Sequence, residues 1–184
     1  MSSNPNDLSY LVSSIDLKNK IRHKIKIVQY KQLFKCDDLL KLLPNKLSIL
    51  VILINTSPNN SGHWTLLVRQ DKLLTYFDSY GKAIDQELKY VSDAYRKELH
   101  ETKPYLTILV NNAIKQGYQL ECNKIDFQSR DNDIATCGKW VTFVANSLLN
   151  GLNLQETQNL IKQLKSKNNK SFDEIVSWYY NNHF

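Results

Sequence analysis

Cys137 stands directly before Gly138, at the head of a stretch whose apolar positions Trp140, Val141, Val144 and Leu148 recur at helical spacing. A cysteine at a helix start meets unpaired backbone N–H groups and the positive end of the helix dipole. Both favour the thiolate, the form that attacks carbonyl carbons. Gly138 has no β-carbon, so a substrate backbone can come close. Taken alone, the pair means little, and a buried structural cysteine is the more frequent explanation of it.

A thiol nucleophile needs a base, and the chain has four histidines. His23 lies in a basic stretch, His100 at the end of a helical pattern and His183 in the C-terminal tail, all with ordinary explanations. His63 opens a strand pattern just after a turn cluster at 57–62, where a side chain can reach a cleft edge. Asp78 ends the following strand pattern. If the two strands form a hairpin, Asp78 comes beside His63 as a cross-strand neighbour, able to fix the imidazole's tautomer and stabilise its charged form. A turn-forming Asp in Asp78-Ser79-Tyr80-Gly81 is as natural a reading in isolation. Gln128 lies nine residues before Cys137, where a side-chain amide can donate to a developing oxyanion, with Asn132 as the alternative and the Cys137 N–H as second donor.

The elements that must position these residues follow from periodicity. Helices are predicted at 7–18, capped at Asn6 or Asp7, and at 30–43, ended by Pro44. Residues 48–55 form an almost unbroken apolar run, predicting a strand buried on both faces. Strands at 63–69 and 73–78 are joined through Gln70-Asp71-Lys72. A helix is predicted at 83–100 from the face Ile84, Leu88, Val91, Tyr95 and Leu99, with strands at 105–111 and 119–127. Helices at Cys137–Leu149, 153–167 and 171–180 complete the chain. The architecture is α+β: one domain over 1–184, a mixed or antiparallel sheet flanked by helices, with the nucleophile at the N-terminus of a core helix.

Composition is that of an ordinary globular protein, 42% apolar and 23% charged. The longest apolar run, 49–54, is strand-sized and far short of the roughly 20 residues that cross a bilayer. The polar first residues lack the apolar core of a secretory signal, so location inside a cell or virion is expected, without membrane association. Three cysteines without Cys-x-x-Cys spacing argue against a disulfide scaffold or structural zinc. Net charge is +6, and residues 1–46 carry nine Lys/Arg against four Asp, or +5. Lys20, Arg22, Lys24 and Lys26 alternate with apolar residues and His23, predicting a strand with cations on one face. That face is either simply solvated or a sequence-blind nucleic-acid footprint.

The order His, Asp, Gln, Cys-Gly resembles the adenain and SUMO-deconjugating protease superfamily. The matching stretches are Gly62-His63-Trp64, Tyr76-Phe77-Asp78-Ser79-Tyr80-Gly81, and Gln128 through Cys137-Gly138-Lys139-Trp140. The Phe-Asp-Ser-Tyr-Gly form is most similar to capsid-maturation proteases of virophages, Maverick/Polinton elements and related DNA viruses. The resemblance implies a papain-like fold in permuted order, with Cys137 as nucleophile, His63 as base, Asp78 as orienter and Gln128 as oxyanion donor. Trp64 then walls a narrow channel for a Gly-Gly segment, its other reading being core packing, and Gly138 also touches substrate. The implied activity is cysteine endopeptidase cleavage of viral capsid or core precursors after small residues, in the virion, virus factory, cytoplasm or nucleus. No cofactor is implied for the chemistry, although DNA or a short peptide is implied as activator; a monomer is expected. The alternatives are a ubiquitin-like-protein deconjugase, a Cys–His acetyltransferase of the same fold, and a basic DNA-binding module without catalysis.

Overall fold

The unbroken apolar run near position 50 does become a strand covered on both sides, and it is the second of five in one sheet. The computed structural model describes residues 7–56 and 62–184. Its strands are β1 (Ile25–Gln29), β2 (Leu47–Asn55), β3 (Gly62–Gln70), β4 (Leu73–Phe77) and β5 (Gln119–Cys122), lying side by side in that order. β2, β3 and β4 are antiparallel, whereas β1 on β2 and β5 on β4 are parallel. β3 and β4 join at a tight turn in which Asp71 adopts a left-handed conformation with φ 52°, a shape Asp tolerates better than most residues.

Alternate residues of the central strands feed two cores. Ile49, Val51, Leu66, Val68 and Phe77 face one side, and Leu50, Ile52, Leu67, Leu74 and Tyr76 the other. The first side is covered by α1 (Ser14–Lys20) and three C-terminal helices, and the second by short 3-10 turns and a further helix.

The helices depart from expectation where local chemistry overrides periodicity. α1 starts at Ser14, because Ser13 and Asp16 form a reciprocal capping box. Residues 7–12 instead run along the surface of the body: the Ala135 N–H donates to the Leu8 carbonyl at 2.8 Å. The helix predicted at 30–43 is two 3-10 turns, Tyr30–Lys35 and Leu39–Lys41. Asp38 breaks it by accepting from the Leu40 N–H. The helix predicted at 83–100 divides likewise into a 3-10 turn, Gln86–Tyr90, and α2 (Asp93–Glu98), where Ser92 caps the second piece. The strand predicted at 105–111 is a helix, α3 (Tyr105–Lys115), with Leu106, Leu109, Val110 and Ala113 buried. Parallel pairing of β4 with β5 requires a crossover, and α3 lies on that connection. The strand predicted at 119–127 stops at Cys122.

α4 (Cys137–Leu149) matches its expected span, and every residue in it but Leu149 is buried. It packs on β3, and α5 (Leu154–Asn168) and α6 (Phe172–Asn182) pack on it. Trp140, fully buried, stacks on Phe127 with ring centroids 5.3 Å apart and meets Phe143 edge-on. Trp140→Ala is expected to lower stability by ~3–5 kcal/mol in a denaturant titration, the range for emptying a core aromatic site. A loss below about 1 kcal/mol would show that α4 is not anchored there.

Candidate active site

His63 is the second residue of β3, opposite Ile54 of β2. β4 ends at Phe77 opposite Leu66 of β3, so the chain leaving β4 delivers Asp78 to the end of the sheet where His63 begins. His63 is 5% exposed and Asp78 is wholly buried, with Nε2 of the imidazole 3.3 Å from Oδ1 of the carboxylate. Neither Nε2 nor Asp78 Oδ2 has an aligned hydrogen bond, so the contact is an ion pair slightly out of line. Nε2 turned to Asp78 leaves Nδ1 as the nitrogen that can exchange a proton with a thiol.

Asp78 is held by its own main chain. Its N–H donates to Asn123 Oδ1 at 2.9 Å, and Asn123 Nδ2 donates back to the Asp78 carbonyl at 2.6 Å. Oδ1 also accepts from the Tyr80 N–H at 2.7 Å, closing a turn that lays the Tyr80 ring on the imidazole, 4.9 Å away and nearly parallel. Gly81 sits at φ +66°, and a β-carbon there would lie 2.8 Å from the Ile125 backbone, so the turn needs glycine on both counts.

Cys137, 7% exposed, opens α4 where the sequence pattern put it. Burial opposes charge on His63. The contacts with the Asp78 carboxylate and with Cys137 outweigh that penalty and push the imidazole up to about 10. The three side chains thus converge, although they come from strand, turn and helix. The arrangement therefore sets a nucleophile beside a base able to exchange a proton with it.

Gln128 is buried, while Asn132 is exposed. Its Oε1 accepts from Ser79 Oγ at 2.8 Å, and its Nε2 donates to Tyr80 OH at 3.1 Å and to the Ile134 carbonyl at 3.4 Å. The amide is therefore oriented, and the longer bond is the one it would release most easily.

Sequence reasoning missed Asn123 and Asp173. Asp173, on α6 and 3% exposed, accepts from the Ser129 N–H at 2.9 Å, from Trp140 Nε1 at 3.4 Å and from Thr136 Oγ1. One carboxylate thus ties the residue after Gln128 to the residue before Cys137. Nothing local marks it, because α6 reads as an ordinary capped amphipathic helix.

Two expectations need correction. The bare face of Gly138 does not open to a cleft: a β-carbon there would lie 2.5 Å from Val12 Cβ, so the N-terminal segment fills the space foreseen for substrate. Trp64 is 9% exposed and donates from Nε1 to the Val12 carbonyl at 2.9 Å, so its indole holds that same segment in place. Lys139, wholly buried, donates to the Asp7 carbonyl at 2.9 Å and to Ser177 Oγ at 3.0 Å, and burial draws its pKa down to about 8.

The cationic strand face is the second correction. Lys20 ends α1 and donates to the carbonyls of Tyr180 and Phe184, and Arg22 donates to that of His183. These two cations tie down the C-terminus, while Lys24 and Lys26 remain exposed at β1. Cys36 and Cys122 are half-buried free thiols. The turn cluster at 57–61 lies outside the described residues, in which no helix is long and apolar enough to cross a membrane.

No family model matches the chain. The crystal structure of the ASFV pS273R protease superposes with a TM-score of 0.57 at 11% identity, covering 96% of this chain and 68% of that one. Its Se-Met form gives 0.52 at 11% identity, over 96% and 69%. The five-stranded mixed sheet flanked by helices, with Cys137 heading the core helix beside His63 and Asp78, therefore shares the fold of that protease. At the level of sequence, the uncharacterized protein V9 of Sputnik virophage is 32% identical over 168 residues, spanning 90% of this chain and 91% of V9. The chain belongs to the family of that virophage protein.

Two outcomes follow from the geometry. A histidine pKa raised from 6.5 to about 10 adds stability that is complete below 6.5 and disappears as pH climbs through about 10. NMR of the His63 ring should accordingly find it protonated at pH 8; a neutral ring at that pH would contradict the ion pair. Asp173→Ala strands buried donors and should cost ~2–4 kcal/mol by denaturant titration, with Asp173→Asn losing less.

Proposed function

We propose that the chain is a cysteine endopeptidase that cleaves viral capsid or core precursors after small residues, at Gly-Gly-like sites. The observation that carries this reading is the convergence of Cys137, His63 and Asp78, with the imidazole raised to about 10 between sulfur and carboxylate. An ordinary core cysteine has no need of a buried, charged histidine beside it.

The Cys137 thiolate attacks the scissile carbonyl carbon and forms the new C–S bond. The oxyanion faces the Cys137 N–H and Gln128 Nε2, which gives up its long bond to the Ile134 carbonyl. His63 passes its proton to the leaving amine as the C–N bond breaks. Water, deprotonated by His63, then hydrolyses the thioester and restores the thiolate. Asp78 keeps Nε2 engaged throughout, so that Nδ1 stays turned to the reacting atoms. Every group in the cycle belongs to this chain, and duplex DNA or a short peptide enters the proposal only as an activator. Substrate entry along Trp64 requires the segment around Val12 either to line the channel or to swing aside.

Because the resemblance implies precursor processing and the sequence relative is a virophage protein, the virion and the host-cell interior are the proposed places of action. Incubation with candidate capsid and core precursors, followed by mass spectrometry of new termini, tests the function. Cleavage should appear with the unaltered chain, fall at least about a thousandfold in Cys137→Ala, and fall nearly as far in His63→Ala, because nucleophile and base act as a unit. Undiminished cleavage by Cys137→Ala would sink the proposal. Running the same assay with and without duplex DNA measures activation directly.

A further inference from the structure

A small pocket lies against Tyr80, the residue whose ring covers His63. It encloses about 170 Å³ and is lined by Tyr80, Lys82, Glu87, Tyr90 and Arg130. Tyr80 is thus the wall between this pocket and the catalytic imidazole, with Arg130 standing 5.5 Å over the same ring. The mechanism above uses none of the other four residues.

Glu87 makes the pocket more than a surface dent. It is 6% exposed, and its Oε1 is buried without any hydrogen-bond partner. A buried carboxylate oxygen left without a donor is costly, and such a group in a native protein calls for a ligand or a water. The cations at the rim do not satisfy it. Arg130 pairs with Asp126 at 2.7 Å, and Lys82 Nζ donates to Tyr90 OH at 2.9 Å.

The charges decide what fits. Arg130 and Asp126 cancel, leaving one negative group at the base and one positive group, Lys82, at the rim. A cationic side chain would meet Lys82, and an anionic one would meet Glu87. A neutral group carrying both a donor for Glu87 and an acceptor for the rim meets no like charge. Position follows from distance: Tyr80 already sits 4.9 Å from the imidazole, and an extended chain advances ~3.3 Å per residue. A side chain beyond Tyr80 therefore belongs to a residue two or three from the scissile bond.

Resting on the protease reading, we propose that this pocket is a substrate subsite for a carboxamide side chain, Gln or Asn, two or three residues from the cleaved bond. The amide NH₂ donates to Glu87 Oε1, its carbonyl accepts from Lys82 or Arg130, and the tyrosines flank its methylenes.

The test uses fluorogenic peptides with a central Gly-Gly and one of Gln, norleucine, Lys or Glu at each of three residues on either side. kcat/KM is measured on the unaltered chain, and binding of the same peptides by anisotropy on Cys137→Ala. At one position two or three residues from the cut, Gln should exceed norleucine, Lys and Glu by at least about tenfold in both readouts. Glu87→Met should reverse the order of Gln and norleucine, and Lys82→Met, at the rim, should admit Lys. If Glu87→Met does not fold, the Lys82→Met shift alone decides.

Cleavage with no such preference overturns the subsite and leaves the protease standing. Preferential binding of Gln without cleavage by the unaltered chain overturns the protease and leaves the pocket. A preference for Glu or Lys at that position reassigns the ligand and defeats the carboxamide proposal.

Discussion

The packing of α4 against β3 is the constraint on which the site depends. Cys137 belongs to the helix and His63 to the strand, so the distance between sulfur and imidazole is set by how those two elements fit together. A helix buried on nearly every face has little freedom to shift, because interiors are packed as densely as organic crystals and any slide opens voids or makes clashes. Trp140, Val141 and Val144 meet Leu66 and Val68 in one core cluster, and the rings of Phe127 and Phe143 flank Trp140. Core packing is thereby converted into catalytic alignment.

Such burial forces polar groups of α4 to find partners inside. Asn146 accepts from the Arg22 N–H and donates to the Lys20 carbonyl, and Thr142 donates to the carbonyl of Gly138 one turn back. Lys139 reaches the N-terminal segment and α6, while Asp173 gathers the two loops around the helix start. Apart from the Thr142 bond, which stays within the helix, these contacts tie α4 and its leading end to elements distant in sequence. Hydrophobic residues could fill the same volume, but they would not specify register, since apolar contacts lack direction. Directional bonds at the leading end of α4 therefore do what packing alone cannot: they fix the rotation of the first turn and the path of the chain into it.

How much of this was legible beforehand depends on range. α4, β2, β3 and β4 were visible because helical and strand periods are written into consecutive residues, and Cys137, His63 and Asp78 stand at their ends. The apolar run at 105–111 was misread because seven residues do not separate a strand from a buried helix. Ala113, continuing the three-four spacing, was the discriminating residue just outside the window. The cations at positions 20–26 looked like a strand face because alternation was read without the Ser13–Asp16 box, which starts a helix running through Lys20. Asn123, Asp173 and the Val12–Gly138 contact were not legible at all. They join segments 45, 44 and 126 residues apart, and no local pattern encodes which partner a buried polar group or a bare glycine will meet.

Tyr80 shows how the remaining parts interlock. Its ring covers the imidazole, its hydroxyl accepts from Gln128 Nε2, and its backbone N–H donates to Asp78. Ser79 beside it donates to Gln128 Oε1, so both ends of the Gln128 amide are governed by one turn. A donor held by its acceptor end has its N–H direction set before substrate arrives, and preorganisation of that kind is what makes an oxyanion site effective. That turn stays in shape because Gly81 accepts a left-handed backbone against Ile125 and Asn123 clamps the Asp78 main chain. A ring at this point helps keep water from the buried His63–Asp78 pair, so the imidazole keeps its charge in a dry setting where an ion pair is strong. The Asp-Ser-Tyr-Gly stretch is thus one device with three outputs: it orients the base, aims the amide donor, and supplies the wall behind which Glu87 waits for a donor.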